Sequence, residues 1–171
     1  MLNTQKTQDA LADLAAVNAL GARATPEAVA NAYKTRAGIW LEQGKADEAL
    51  ADCDAAIALR PPQCLTCTYV NRAAAHLGKK AYAEALADCE EAIRLFPGNA
   101  CAYNCRAFVY LDLKDYDRAI ESFGMAIQLN PCCACYYENR AAAYKKKQGW
   151  FSSQARADNA RAKQVQALYG P

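Results

Sequence analysis

The sequence predicts an all-α fold in which antiparallel helix pairs stack into a solenoid. The first support is a fixed interval. Cys67, Cys101 and Cys135 are spaced by 34 residues, and Tyr69, Tyr103 and Tyr137 keep the same step, as do Arg72, Arg106 and Arg140. The second is a small-residue seam. Ala49, Ala85 and Ala119 each precede Ala56, Ala92 and Ala126 by seven residues, or two helical turns, so each pair shares one face. The third is punctuation. Pro61, Pro97 and Pro131 stand where each second helix must stop, because proline lacks the N–H and pushes its predecessor out of the helical region. One helix pair cannot bury its own faces. Stacking buries them between neighbours and curves the array.

Taken in order, residues 1–25 read as a leading helix or arm, with Leu11, Leu14, Val17 and Leu20 on roughly one side. Residues 26–171 then read as one array, with repeats at about 30–63, 66–99 and 100–133. The second helices of these repeats are KADEALADCDAAIALRP, AYAEALADCEEAIRLFP and DYDRAIESFGMAIQLNP. A fourth first-helix follows at about 134–148. The tail SSQARADNARAKQVQALYG reads as a degenerate second helix that caps the stack, within 134–169. Three stretches depart from the pattern, the first being the connection after Pro61, where Pro62, Gln63, Cys64 and Leu65 intervene before Thr66. Gly78-Lys79-Lys80 replaces a simple glycine turn, and Gly149-Trp150-Phe151 interrupts the last unit. Trp150 and Phe151 are either a staple for the last helix pair or an exposed anchor for a partner, the staple being preferred.

Composition narrows the function classes. With 53% apolar residues in 171, the chain can bury a substantial core. A net charge of +2 makes no overall case for nucleic acid or a membrane surface. Charge is uneven, however. Arg140, Lys145, Lys146, Lys147, Arg156, Arg161 and Lys163 face only Glu138 and Asp158 over residues 138–171. No apolar run is long enough to cross a bilayer. The first residues lack a secretory apolar core, and Asp9 and Asp13 argue against a transit peptide. A soluble, cytoplasmic protein is expected, with no membrane insertion.

The same landmarks resemble the tetratricopeptide repeat family. Aromatic Tyr33, Tyr69, Tyr103 and Tyr137 open the first helices, small Ala37, Ala73, Ala107 and Ala141 follow, and Trp40, His76, Tyr110 and Tyr144 come next. The resemblance implies a right-handed superhelix whose concave side is lined by the first helices. It implies a protein–protein interaction module, an adaptor or scaffold subunit of a larger complex, holding an extended peptide or a helix of its partner. Groove-facing places would be Lys34 in the first repeat, Val70, Asn71 and Ala74 in the second, Cys101, Asn104, Cys105 and Phe108 in the third, and Asn139 in the fourth. Asparagine carries both donors and an acceptor, so it suits the amides of an extended chain. Lys34 and Asn71 also match a subgroup that clamps the terminal carboxylate of chaperones. Gly38, Cys101 and Cys105 stand at that clamp's other places, so the charge-assisted bonds a carboxylate needs are largely lost. A chaperone-tail binder with a degraded clamp is therefore an alternative reading.

The nine cysteines raise a second alternative, a thiol-based metal or redox protein. Cys64-x2-Cys67, Cys101-x3-Cys105 and the cluster Cys132, Cys133, Cys135 have suggestive spacings. The repeat gives most of them structural addresses instead. Cys53 and Cys89 occupy the place of Phe123 and read as buried packing residues. Stacked first helices lie roughly 8–10 Å apart, too far for Cys67 to bridge to Cys101 or Cys101 to Cys135. Local pairs remain open: Cys101 with Cys105, or Cys132 or Cys133 with Cys105. His76 reads as a core residue, so no metal or other cofactor is expected. Catalysis has little support, with one histidine and no phosphate loop. Asp52-Cys53-Asp54 and Glu90-Glu91 read as solvated outer faces. Nucleic-acid binding through Lys145-Lys146-Lys147 is a weaker rival, because aromatics are not interleaved with the basic run.

Overall fold

The computed structural model describes residue 12 and residues 25–60 and 65–170. Apart from residues 12 and 25, the expected leading helix over 1–25 lies outside the described residues, as do Pro61 and Cys64. Those described form eight helices and no strand: α1 Pro26–Glu42, α2 Ala46–Ala58, α3 Leu65–Gly78, α4 Tyr82–Leu95, α5 Ala100–Asp112, α6 Tyr116–Leu129, α7 Ala134–Gln148 and α8 Ser153–Tyr169. The fold is all-α, and each expected helix pair is present.

Helix ends follow local chemistry. Thr25 caps α1, its Oγ1 accepting from Ala28 N at 3.2 Å, and Pro26 fills the first turn where its missing N–H costs nothing. Asn99 caps α5 by accepting from the Cys101 and Ala102 amides. Ser152 caps α8 through Ala155 N. The ends of α4 and α6 fall two residues before Pro97 and Pro131, as the prolines require. The tight turn inside each pair passes through a left-handed residue: Gly44 (φ 72°), Lys80 (φ 60°), Lys114 (φ 61°) and Gly149 (φ 86°). Glycine takes that conformation without penalty and lysine does not.

The chain forms two compact units, one ending at Leu95 and one beginning at Phe96. In the first, α1 packs on α2 and α3 on α4, while α3 also meets α2 and α1. Its seam is alanine: Ala37, Ala49, Ala56, Ala73, Ala85 and Ala92 are fully buried, together with Cys53 and Cys89. The two cysteines are the packing residues expected from the repeat. In the second unit α5 packs on α6, α6 on α7 and α7 on α8. Its core gathers Ala107, Leu111, Ala119, Phe123 and Ala143, with Tyr110, Tyr116 and Ile120 around it.

One expectation is corrected here. Asp52 is not on a solvated outer face but is 4% exposed, and Asp88, its counterpart in the next repeat, is 5% exposed. They are turned inward because each meets an arginine of the preceding helix. Asp54 and Glu90 do lie outside.

Candidate functional site

A repeated ion pair holds the first helix to the second in three of the four helix pairs. Arg36 Nε and Nη2 donate to the two carboxylate oxygens of Asp52 at 2.6 and 2.5 Å. Arg72 grips Asp88 in the same fork at 2.9 and 2.7 Å, and Arg140 grips Asp158 at 2.8 and 2.7 Å. Bidentate forks of this kind are the stronger charge-assisted bonds. The side-chain hydrogen bond is the leading cause that raises the pKa of all three guanidinium groups above the ordinary arginine value. Arg36 and Arg72 also lie 5.6 and 5.3 Å over the rings of Tyr33 and Tyr69. The tyrosines that mark the repeat are thus platforms for the arginines that mark it too. The third repeat departs from the rule. Ser122 replaces the aspartate, and Arg106, 5.2 Å over Tyr103, reaches only its hydroxyl at 3.2 Å.

Each unit presents a face formed by its two first helices. In the first unit Asn71 Nδ2 of α3 donates to the Lys34 carbonyl of α1 at 3.2 Å, and Lys34 Nζ donates to Asn31 Oδ1 at 2.9 Å. Val70 and Ala74 flank Asn71 and are half-buried. Gly38 lies one turn along α1 from Lys34, and a Cβ built there would stand 3.9 Å from Asn71 Nδ2. In the second unit Asn139 Nδ2 of α7 donates to Asn104 Oδ1 of α5 at 3.2 Å. Cys101 Sγ lies 3.5 Å from the Tyr136 hydroxyl, again joining α5 to α7. Burial, then the bond to Cys101, raises the Tyr136 pKa. Phe108 is 37% exposed and sets its ring edge-on to Phe123, 5.5 Å between centroids.

The structure therefore brings together Lys34, Val70, Asn71 and Ala74 in one unit, and Cys101, Asn104, Phe108 and Asn139 in the other. Cys105 is different. It is 6% exposed and packs inside the second unit, so it offers little surface to a partner. Sequence reasoning missed the arginine–aspartate ladder and the inward-facing Tyr136. The ladder's signal was present: sixteen residues separate Arg36 from Asp52 and Arg72 from Asp88.

The cysteines pair in an unforeseen way. Cys133 and Cys135 are joined at the start of α7, with Cα atoms 5.4 Å apart. Cys101, Cys105 and Cys132 are free thiols and Cys133 is taken by Cys135, so none of the local pairs left open by the sequence forms. Among the described residues no group of three His, Cys, Asp or Glu side chains converges as metal ligands would. His76 stands where Trp40 stands in the first repeat. Trp40 Nε1 donates to Asp52 Oδ2 at 3.1 Å, and His76 Nε2 lies 3.8 Å from Asp88 Oδ2. The histidine thus stands beside the ladder, but at 3.8 Å it does not make the hydrogen bond that Trp40 makes. Trp150 and Phe151 are 77% and 88% exposed, which removes the staple reading.

Residues 100–131, the α5–α6 pair, match the family model for the tetratricopeptide repeat. The chain carries a tetratricopeptide repeat. Solved structures agree on the fold. MamA from Desulfovibrio magneticus RS-1 superposes with a TM-score of 0.68 at 17% identity, over 97% of this chain and 98% of that one. The tetratricopeptide repeat domain of Arabidopsis OM64 gives 0.57 at 21%, covering 81% and 98%. The first such domain of human RPAP3 gives 0.56 at 21%, covering 82% and 94%. At these identities the likeness is one of fold. No curated protein matches the chain. Among the described residues no helix is long and apolar enough to cross a membrane.

Proposed function

We propose that this tetratricopeptide-repeat protein is a non-enzymatic protein-binding module, an adaptor or scaffold, whose first-helix faces hold an extended segment of a partner. The observation that carries the reading is the Asn139–Asn104 bridge on α7 and α5. An asparagine amide offers two donors and an acceptor with two lone pairs. The bridge uses one N–H of Asn139 and one acceptor site of Asn104. The remaining N–H groups and the Asn139 oxygen are left for the main-chain amides of a bound strand. Phe108 supplies an exposed apolar contact beside them. In the first unit Asn71 plays the corresponding part, with Val70 and Ala74 as small apolar neighbours. A face of this kind reads backbone more than sequence, so the partner is a peptide segment without strong charge.

The test is to select short peptides from a random display library on the full chain, then measure their affinity for Asn104→Ala/Asn139→Ala. Affinity falling by about tenfold or more, the value of one or two lost hydrogen bonds, supports the face. Unchanged affinity removes it. The clamp reading has less behind it. Lys34 is engaged with Asn31, and Cys101 and Cys105 stand where the third repeat of that clamp needs cations. The thiol reading keeps one observation of its own, the Cys133–Cys135 bond beside the free Cys132. It requires a change in peptide affinity when that bond is reduced, and identical affinity on either side of reduction removes it.

A further inference from the structure

The most exposed pair of large apolar side chains lies on no helix face. Trp150 and Phe151, 77% and 88% exposed, occupy the tip of the α7–α8 turn. The turn is well tied. Gly149 takes φ 86°, the Ser152 amide donates to the Gly149 carbonyl at 3.3 Å, and the Ser152 hydroxyl donates to Gln148 Oε1 at 2.7 Å while capping α8. Ser152 is itself buried, at 6%. The rings are thus held outward by a structured turn. Their surroundings are basic. From Asn139 to Ala157 the sequence contains no acid, and Lys145 Nζ lies 5.0 Å over the Trp150 ring. Lys146 and Arg156 are exposed and have no acidic partner among the described residues, whereas Lys147 meets Asp117.

We propose that this turn adsorbs the protein onto an anionic lipid surface. Two adjacent aromatic side chains at a convex tip need no preformed pocket to be buried in a fluid interface, where tryptophan in particular partitions at headgroup depth. The lysines then lie at the level of the lipid phosphates, and their charge complements an anionic leaflet. Neither signal alone gives stable adsorption, and the turn combines both. A protein pocket would have to receive both rings side by side while meeting the same cations. Binding of this kind is peripheral and reversible. It leaves the asparagine faces unaltered.

The experiment is flotation of the full chain with phosphatidylcholine vesicles, with and without phosphatidylserine. The expected result is binding to the serine-containing vesicles, weakened by salt, together with a blue shift of tryptophan emission. Trp150→Ser/Phe151→Ser should bind about tenfold or more weakly with an unchanged helical spectrum, because both side chains are already exposed. Lys146→Glu/Arg156→Glu should lose the dependence on phosphatidylserine. No flotation with anionic vesicles overturns the proposal, as does equal binding by the aromatic variant. Loss of a soluble protein partner by that variant, with wild type staying off vesicles, assigns the turn to a protein pocket and equally overturns it.

Discussion

The ladder of arginines and aspartates allows one repeat to be rewritten as another. Asp88→Ser makes the second repeat resemble the third. It removes two charge-assisted bonds of 2.9 and 2.7 Å from Arg72. Breaking a buried pair costs about 3–5 kcal/mol when the surviving charge is stranded. Arg72 is not fully stranded: its side chain is 24% exposed and its Nη1 keeps Asp54 at 2.7 Å. A loss of about 2–3 kcal/mol is therefore expected, which in urea moves the midpoint down by about 1 M. The converse change is Ser122→Asp. The position is 1% exposed, and Arg106 already points at it with Nε 3.2 Å from the hydroxyl. A carboxylate there forms the fork seen at Asp52, Asp88 and Asp158. Its desolvation cost offsets much of the gain, so about 1 kcal/mol of stabilisation is expected. The assay is urea unfolding followed by circular dichroism, with Arg106→Met alone and combined with Ser122→Asp to close a double-mutant cycle. If Asp88→Ser unfolds within about 0.5 kcal/mol of wild type, or if Ser122→Asp has the same effect with and without Arg106, the ladder is not what fastens the helix pairs.

Other consequences are open to similar measurement. Lys80→Gly and Lys114→Gly should each raise stability by about 0.5–1 kcal/mol, because a left-handed conformation costs lysine about 1–2 kcal/mol and glycine's looser unfolded chain returns part of that; a lowered urea midpoint would contradict the turn geometry. Ser152→Ala should cost about 1 kcal/mol through loss of the α8 cap, read as a lower thermal midpoint, and no change would mean the cap is idle. Burial pushes the Cys53 thiol from its usual 9.0 up to about 12. The unfolded chain then releases this proton first as pH rises. Stability should fall between pH 9 and 12 by up to about 1.4 kcal/mol per unit, and Cys53→Ala should flatten that slope; an unaltered slope would show that the thiol ionises alike in both states. Proteolytic mapping without reductant should recover Cys133 and Cys135 bonded within one peptide, and two alkylated thiols there would contradict the pairing.

The helices were legible because their determinants are local and periodic. The seven-residue alanine seams and the prolines at 97 and 131 fix where each helix lies and ends. Asn71 and Asn139 could be placed on first helices by register alone. Their hydrogen-bond partners could not, since those depend on how two helices thirty-odd residues apart approach. Asp52 shows the limit most plainly. Beside Cys53 and Asp54 it reads as a surface charge, and only the arginine sixteen residues earlier explains its burial. Lys80 and Lys114 hide a left-handed turn that sequence marks only when glycine occupies it, as at Gly44. Cys105 shares its helix place with Asn71 and Asn139, yet it is withdrawn into the core. Trp150 and Phe151 are apolar by type, and type alone suggested burial.

In the proposed binding mode a partner strand rests on the asparagine amides of the first helices within a unit. Selective nitrogen-15 labelling of asparagine, with two-dimensional NMR during titration by a library-selected peptide, addresses it directly. The side-chain amide resonances of Asn104 and Asn139, or of Asn71, should move in saturable fashion. Saturable binding that leaves all three in place, while shifting Asn159 of α8, would put the partner on the opposite helices and contradict the account.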